Sequence, residues 1–321
     1  MPQPSLSQVH IDQALTNVST AYQQSDEQFI ATKVFPIVPV EKQSGKYFTY
    51  TKNDWFRDEA KPRADATESA GSGYGMSTAS YSCDVFALHK DIGEQARANA
   101  DAGVDLERDA TRFITQRMLL RMEIQWVSDV FTTSVWGTDT TPSNLWSDYT
   151  GASDPINDVE TQKTTILSNT GQMPNTLVLG YQVFTALKSH PDIVDRIKYS
   201  TGVTGKTINE ELLAAMFGVD RVLVAKAVKA TNVEGETAAY SFVHGKHALL
   251  LHVAPNPGLL TPSSGYTLVW RGVDYGMGRN NVGIKRYEIQ ERNATRVEGQ
   301  IAFDNKVVGT DLGVFFNGAV S

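Results

Sequence analysis

Three histidines close together in the chain are the residues best suited to metal chemistry. His244 and His247 stand in the run HGKH, and His252 follows nearby. Imidazole nitrogens bind zinc, usually with further histidine, thiolate or carboxylate ligands. On a strand, however, positions three apart point to opposite faces, and no carboxylate or thiol completes the set. We therefore predict no metal site here and interpret these histidines as solvated or turn residues.

The other motif-like segments also lack a catalytic arrangement. The glycine-rich runs GSGYG (71–75) and YGMG (275–278) do not join a clear strand to a helix N-terminus, which phosphate binding requires. The chain contains no nucleophile elbow, zinc-protease motif or P-loop. Cys83 is interpreted as a small residue on a strand face. The sequence therefore predicts a protein that is not an enzyme, with no catalytic, cofactor-binding or metal-binding residues.

Composition limits the class of protein further. The chain has 321 residues, of which 41% are hydrophobic and 20% charged, and this predicts one or two folded domains. A single cysteine excludes an intrachain disulfide framework. No apolar run approaches the roughly 20 residues that span a bilayer, and the N-terminus does not resemble a signal peptide, so we expect a cytoplasmic protein without membrane contact. The formal net charge of -7 and the lack of a basic run argue against direct readout of DNA.

Residues 1–40 are predicted to form an arm. The segment is polar and contains prolines, with one short helix expected from Ile11 to Tyr22. In the run FIATKVFPIVPV, Pro36 and Pro39 exclude a helix and a central strand. The apolar side chains of this run have little local partner structure, so we expect a more distant surface to cover them. They are Phe29, Ile30, Val34, Phe35, Ile37 and Val38.

A long polar hairpin is predicted next. KYFTYTK (46–52) alternates as a strand, and a second alternating stretch follows the polar segment 53–75. An isolated two-stranded hairpin is marginally stable in water, so we expect it to dock on something outside itself. From Glu41 to Ser82 there are six acidic and six basic residues, which suits contact with another copy of the chain. Trp55 and Phe56 are candidate anchors in the polar loop. The second strand places Ala79, Tyr81, Cys83 and Val85 on one face.

The strongest helical pattern runs from Val104 to Val130, with Asp101 or Asp105 as its cap. We expect one apolar stripe to face the core, formed by Leu106, Ala110, Phe113, Leu120, Ile124, Val127 and Phe131. The charged residues are expected to face solvent, and they are Arg108, Asp109, Arg112, Arg121, Glu123 and Asp129. From about Asp154 the pattern alternates between helices and strands, and the last third reads as antiparallel strands. The predicted fold class is therefore α+β.

This order of an arm, a polar hairpin, a long helix, an α+β region and returning strands resembles the major capsid proteins of tailed bacteriophages, whose fold is called HK97-like. Local phrases such as ATKVFPIVPV and KYFTY contribute to the resemblance. It implies an N-arm (1–40), an E-loop (41–84), a P domain (85–170) with a spine helix (about 104–131), and an A domain (171–278). It also implies that the C-terminal strands, residues 279–321, return to the P domain.

The resemblance implies a structural protein of the virion that self-assembles as hexamers and pentamers into an icosahedral head. The head would be assembled in the host cytoplasm and would package double-stranded DNA, which touches the subunit only by non-specific proximity. Further expected partners are a portal and cement proteins. In several such proteins a scaffolding segment of about a hundred residues precedes the arm; because the arm here begins almost at Met1, we expect scaffolding to be a separate protein.

The resemblance also implies that arm and hairpin reach over neighbouring subunits. The expected contact residues are Phe29, Val34, Phe35, Tyr47, Trp55, Phe56, Arg57, Lys61 and Arg63. Some relatives join a hairpin lysine to a neighbour's asparagine by an isopeptide bond. The residues of these types here are Lys46, Lys52, Lys61, Asn293, Asn305 and Asn317, and no motif selects among them. Our hypothesis is that no such bond forms.

Two alternatives remain open from the sequence. A nanocompartment shell with the same HK97-like fold, similar to encapsulins, would enclose cargo proteins and no genome. An enzyme whose site is built from residues that no motif groups, such as an Asp and a His on separate loops, would show activity as a discrete monomer. The contents of purified particles separate the first alternative from a phage head, and an activity in the monomer would favour the second.

Overall fold

The structure, a computed structural model, describes residues 23–100, 104–201, 208–258, 260–272 and 282–321. The helix expected from Ile11 to Tyr22 and the candidate cap Asp101 lie outside these residues. The helices are α1 (Ala31–Val34), α2 (Lys52–Trp55), α3 (Glu94–Ala98), α4 (Leu106–Asp129), α5 (Pro155–Thr170), α6 (Tyr181–Ser189), α7 (Pro191–Thr201) and α8 (Glu210–Phe217). The strands are β1 (Ile37–Val40), β2 (Ser44–Tyr50), β3 (Met76–Ser82), β4 (Asp84–Gly93), β5 (Thr138–Thr140), β6 (Thr176–Gly180), β7 (Arg221–Ala225), β8 (Val228–Ala230), β9 (Tyr240–Phe242), β10 (Ala248–Leu251), β11 (Gly265–Trp270), β12 (Gly283–Ile289), β13 (Ala294–Val307) and β14 (Gly313–Phe316).

The long strand β13 organises the first sheet. Its N-terminal half pairs antiparallel with both β4 and β12, and its C-terminal part pairs with β11. Strand β1 of the arm adds to β11 in parallel. Alternate residues of β13, including Val297, Ile301 and Phe303, are buried beneath α4, because successive side chains of a strand point to opposite faces.

Helix α4 lies across this sheet. The side chain of Asp105 caps it by accepting hydrogen bonds from the N–H groups of Glu107 and Arg108. Gly299 of β13 lets the helix approach closely, since a Cβ there would overlap the Cγ2 methyl of Ile114. The helix buries one row of residues at four-residue spacing, formed by Ala110, Ile114, Met118, Met122 and Trp126.

The helix confirms the predicted span to within two residues, but the predicted buried face was wrong in part. Phe113 is exposed at the rim, where Lys90 and Arg117 lie over its ring. Glu123, expected to face solvent, is fully buried. The row that was predicted to face the core and the row that does face it both carry apolar residues. The local pattern therefore does not decide which row meets the sheet.

The second sheet has the order β5-β14-β10-β6-β7. Strands β6 and β7 are parallel, whereas β10 runs antiparallel to β6 and β14. Helices α5 to α8 cover one face of it, and the central strands β6, β10 and β14 are fully buried. Strands buried on both faces read as continuous apolar runs, as TLVLG and ALLL do.

The two sheets divide the chain differently from the predicted P and A domains. Strand β11, expected in the A domain, belongs to the first sheet, and β14, expected to return to the P domain, belongs to the second. Helix α5, also expected in the P domain, packs its Ile156, Val159 and Ile166 into the core of the second sheet. The reason is that strand partners distant in sequence are chosen by tertiary packing, which a local hydrophobic pattern does not reveal.

Most apolar side chains of the arm between residues 29 and 35 are buried in their own subunit. Phe29 packs into the core beneath α4, and Val34 and Phe35 fill the space between the end of α4 and the second sheet. Their exposed fractions are 3%, 0% and 1%. These three residues were expected to contact a neighbouring subunit, and that expectation was wrong because the chain itself supplies the covering surface.

We predict that Gly180→Ala destabilises the second sheet by about 3 kcal/mol, as overpacking against a rigid group does. Gly180 ends β6, and a Cβ there would overlap the backbone carbonyl oxygen of Gly245. A backbone atom cannot move aside as a side-chain tip can. Urea unfolding of the variant checks the expectation. Gly71→Ala, where an added Cβ meets no atom within 4 Å, is the control and should leave the unfolding midpoint unchanged.

Candidate subunit-contact surfaces

Strands β2 and β3 form the predicted hairpin. They pair from Ser44 opposite Ser82 to Tyr50 opposite Met76, and among the described residues they form a sheet of their own. Helix α2 follows β2, and the chain from 57 to 75 has no further helix or strand. The predicted exposed loop is therefore confirmed, although α2 was not predicted.

The hairpin carries an exposed aromatic cluster at its tip. The rings of Tyr50, Trp55 and Tyr74 lie 5.7 to 6.2 Å apart between centroids. Trp55 is 54% exposed and Tyr74 65% exposed. Asp54 Oδ2 accepts a hydrogen bond from the N–H of Gly75 at 2.8 Å, which closes the loop behind the cluster. We name Tyr50, Trp55 and Tyr74 the tip cluster.

The other expected contact residues of the hairpin are distributed along it. Tyr47 is half-buried in β2, whereas Phe56, Arg57, Lys61 and Arg63 are exposed. The hairpin strands expose two more large apolar side chains, Phe48 and Met76. Exposed apolar residues gathered on one element are typical of a protein interaction surface.

Two polar contacts anchor the hairpin to its own subunit. Lys52 Nζ lies 2.8 Å from Asp311 Oδ2 near the second sheet. The N–H of Ser82 donates to Asp304 Oδ2 on β13 at 2.9 Å. Cys83, predicted to be a small residue on a strand, is buried at the base, where burial raises the pKa of its thiol to about 11.

A buried carboxylate that the sequence patterns missed, Glu123, fastens the arm to α4. Its Oε2 accepts hydrogen bonds from the N–H groups of Ala31 at 2.8 Å and Ile30 at 3.0 Å. Burial raises the pKa of Glu123 to about 7, while these hydrogen bonds act to lower it. The signal was available: Leu119, Trp126 and Val130 place Glu123 within an apolar row at helical spacing.

His244 lies against this carboxylate. Its Nε2 is 3.6 Å from Glu123 Oε1, and its ring packs against Trp126 and Phe131. Burial lowers the pKa of His244 to about 3. The prediction that His244 is solvated was therefore wrong, because the chain buries it in an aromatic pocket beside the turn at 245–246.

The other two histidines serve structural contacts. His247 Nδ1 accepts a hydrogen bond from the N–H of Gly318, and His252 Nδ1 lies 2.6 Å from the carbonyl oxygen of Met173. Across the described ranges, no group of three or more His, Cys, Asp or Glu side chains is arranged to hold a metal ion. None of the helices in the described residues has the length and apolar character needed to cross a bilayer.

The architecture is the mixed α+β HK97-like fold, and solved structures share it along nearly the whole chain. A phage-related protein from Bordetella bronchiseptica RB50 superposes with a TM-score of 0.69 and 23% identity, covering 96% of this chain and 97% of that one. The capsid of cyanophage P-SCSP1u superposes with a TM-score of 0.62 and 9% identity, covering 95% of this chain and 91% of that one.

Two curated proteins are similar to this chain in sequence, and they indicate its class more specifically than the shared fold does. The major capsid protein of Burkholderia phage BcepMu is 26% identical over 96% of this chain and 96% of its own length. The major capsid protein of Pseudomonas phage JBD67 is 26% identical, covering 97% of each chain. No family model matches the chain. The predicted resemblance to phage major capsid proteins is thus confirmed, and the alignments cover nearly the whole of each protein.

Proposed function

We propose that this chain is the major capsid protein of a tailed bacteriophage, which assembles as hexamers and pentamers into an icosahedral head around double-stranded DNA. The observation that carries the proposal is the similarity to curated phage major capsid proteins over 96% of both chains. The HK97-like fold supports it. The role is structural, without a catalytic site or a cofactor, and the mature protein resides in the virion.

Within this proposal, the hairpin is the strap that reaches a neighbouring subunit. Its contact residues are the tip cluster with Tyr47, Phe56, Arg57, Lys61 and Arg63. The exposure of the tip cluster supports this role, because large aromatic side chains are the usual anchors of protein interfaces. The arm, in contrast, holds its own subunit together from Phe29 to Val40.

Assembly involves further partners in this proposal. A separate scaffolding protein, a portal and cement proteins act with the subunit in the host cytoplasm, where no membrane is needed. Packaged DNA contacts the shell without sequence readout, in keeping with the formal net charge of -7.

Electron microscopy of the purified protein, produced with and without its scaffolding protein, tests the function. We expect closed icosahedral particles, and particles from infected cells should contain double-stranded DNA. A protein that stays monomeric under every condition contradicts the proposal. Particles that hold proteins and no genome identify a nanocompartment shell, and a substrate-dependent activity of a discrete monomer identifies an enzyme.

We predict that mature particles contain no isopeptide bond between subunits. Asn305 is buried, and its amide contacts Thr267 Oγ1 at 3.0 Å and Asp129 Oδ2 at 3.3 Å. Lys52 is engaged by Asp311 of its own chain. A denaturing gel of mature particles should therefore show the subunit at the monomer position, and a ladder of covalent oligomers contradicts this prediction.

A further inference from the structure

The single helical turn α2 brings the tip of the hairpin against the second sheet of its own subunit. Lys52 Nζ lies 2.8 Å from Asp311 Oδ2, in the segment that precedes β14. The ring of Phe56 lies beside Gly171, which ends α5, since a Cβ added to Gly171 would be 3.5 Å from Cε1 of Phe56. Lys52 and Phe56 are four positions apart, so the turn carries both on one side. We name Asp311 and Gly171 the hairpin seat.

The opposite end of the hairpin rests on the first sheet. The N–H of Ser82 donates to Asp304 Oδ2 on β13 at 2.9 Å. Tyr47 of β2 is half-buried near the same carboxylate, and burial raises the pKa of its hydroxyl group. The hairpin is therefore supported at both ends by its own subunit. Because a two-stranded ribbon is marginally stable alone, these two supports limit the directions in which the hairpin can point.

The tip cluster stays accessible while the hairpin seat is occupied. Trp55 is 54% exposed and Tyr74 65% exposed, although Trp55 stands between the two residues that contact the seat. The rings of the tip cluster pack against one another and not against the second sheet. A contact that kept the hairpin from binding a partner would cover these apolar anchors. The seat leaves them exposed, which favours a positioning role over an inhibitory one.

We propose that the hairpin seat holds the tip cluster in its binding orientation before a neighbouring subunit arrives, an inference that rests on the proposed function. Asp311 is then a positioning residue that acts through Lys52. An element already held in its bound orientation loses less conformational freedom on association, so it binds faster or more tightly. The gain should be modest, because the side chains of Lys52 and Asp311 are 42% and 46% exposed and exposed ion pairs contribute little.

A distance measurement on the unassembled subunit tests whether the seat holds the hairpin. Spin labels attached at Thr78→Cys on β3 and Asn169→Cys on α5, both exposed, report the distance between the hairpin and the second sheet by pulsed electron paramagnetic resonance. The native Cys83 is buried and should stay unlabelled. We expect a narrow distribution of distances in the parent and a broader one in Asp311→Asn, which keeps the shape of the side chain but loses its charge.

Two further variants assign the effect to the ion pair. Lys52→Gln removes the pair from the hairpin side and should broaden the distribution as Asp311→Asn does, which also covers the case in which one of the two does not fold. Lys52→Asp combined with Asp311→Lys restores the pair with exchanged charges and should return the narrow distribution of the parent. If the exchanged pair does not restore it, Asp311 does not act through Lys52 and the inference fails.

Assembly kinetics test whether the held orientation matters for binding. Followed by light scattering without labels, Asp311→Asn should assemble about threefold to fivefold more slowly than the parent, the upper end of what an exposed ion pair contributes. The variant with exchanged charges should assemble at the parent rate. The unfolding midpoint should be nearly the same in all three proteins, which separates positioning from stability. Asp220→Asn removes another exposed carboxylate beside the second sheet and, as the matched control, should assemble as the parent does.

Three results overturn the inference. Faster assembly of Asp311→Asn shows that the seat restrains the hairpin. An unchanged assembly rate shows that the held orientation is not used. Slower assembly with an unchanged distribution of distances places the ion pair between subunits and not within one. If the parent forms no shells under any condition, the proposed function itself fails, whereas shells formed equally well by the parent and Asp311→Asn leave the proposed function standing without this inference.

Discussion

Replacing Glu123 by leucine is expected to lower the free energy of unfolding by about 2 to 4 kcal/mol. The substitution leaves the N–H groups of Ile30 and Ala31 buried without an acceptor, and each such group costs about 1 to 3 kcal/mol. Leucine has nearly the size of the removed side chain, so the loss reports on hydrogen bonding and less on a cavity. Urea unfolding measures it, and amide hydrogen exchange at Ile30 and Ala31 should accelerate.

Glu123→Gln is the matched control, because its side-chain oxygen still accepts a hydrogen bond from the arm. It should retain most of the stability that leucine loses. Asp109→Leu removes an exposed carboxylate from the same helix and should change stability little. If leucine at position 123 is tolerated as well as glutamine, Glu123 does not fasten the arm.

The difference in the free energy of unfolding between the parent and Glu123→Gln should also depend on pH. Burial raises the pKa of Glu123 from 4.5 to about 7, so the folded state binds a proton more readily than the unfolded chain. This contribution to stability is fully present below about pH 4.5 and is lost as pH rises through 7. Between pH 5 and pH 8, the stability of the glutamine variant relative to the parent should therefore rise by on the order of 2 kcal/mol. A pH-independent difference contradicts this assignment.

The buried His244 has the opposite effect on how stability depends on pH. Burial lowers its pKa from 6.5 to about 3, so its contribution is present above about pH 6.5 and is lost as pH falls toward 3. The parent alone would show the sum of both effects. Between pH 5 and pH 8 the buried His244 stays neutral in the folded state, because its pKa is about 3, so the difference between parent and glutamine variant in that range reports on Glu123.

The second large effect is expected at the tip cluster. The double variant Trp55→Ser and Tyr74→Ser should fold as the parent does, because both side chains are exposed in the subunit. We expect at least a hundredfold loss in assembly, since aromatic anchors at an interface contribute about 2 kcal/mol or more each. Light scattering and electron microscopy under assembly conditions measure the loss, and the unfolding midpoint checks the fold.

Conservative variants at the same two positions provide the control. Trp55→Phe with Tyr74→Phe keeps an aromatic ring at both positions. This variant should assemble within about tenfold of the parent, because the rings that anchor the interface remain. Normal assembly by the double serine variant contradicts the role of the tip cluster as the strap.

The sequence by itself determined the elements whose physics is local. The alternation of KYFTY predicted β2, and the polar composition of 53–75 predicted a loop, which the structure shows from 57 to 75. The period of the apolar residues predicted α4 to within two residues at either end. These signals are readable because the period of a strand or helix is a property of neighbouring residues. The resemblance to phage capsid proteins used only the order of such elements, and so it needed no tertiary contact.

Tertiary structure alone decided which surfaces meet. It buried Phe29, Val34 and Phe35 in their own subunit, although the arm offered them no local partner. It sent β11 to the first sheet and β14 to the second. It also turned Glu123 inward on α4, where the sequence predicted a solvent-facing residue. In each case the free energy of burying the side chain depends on residues distant in the chain. Burial removes a side chain from water only when another segment covers it.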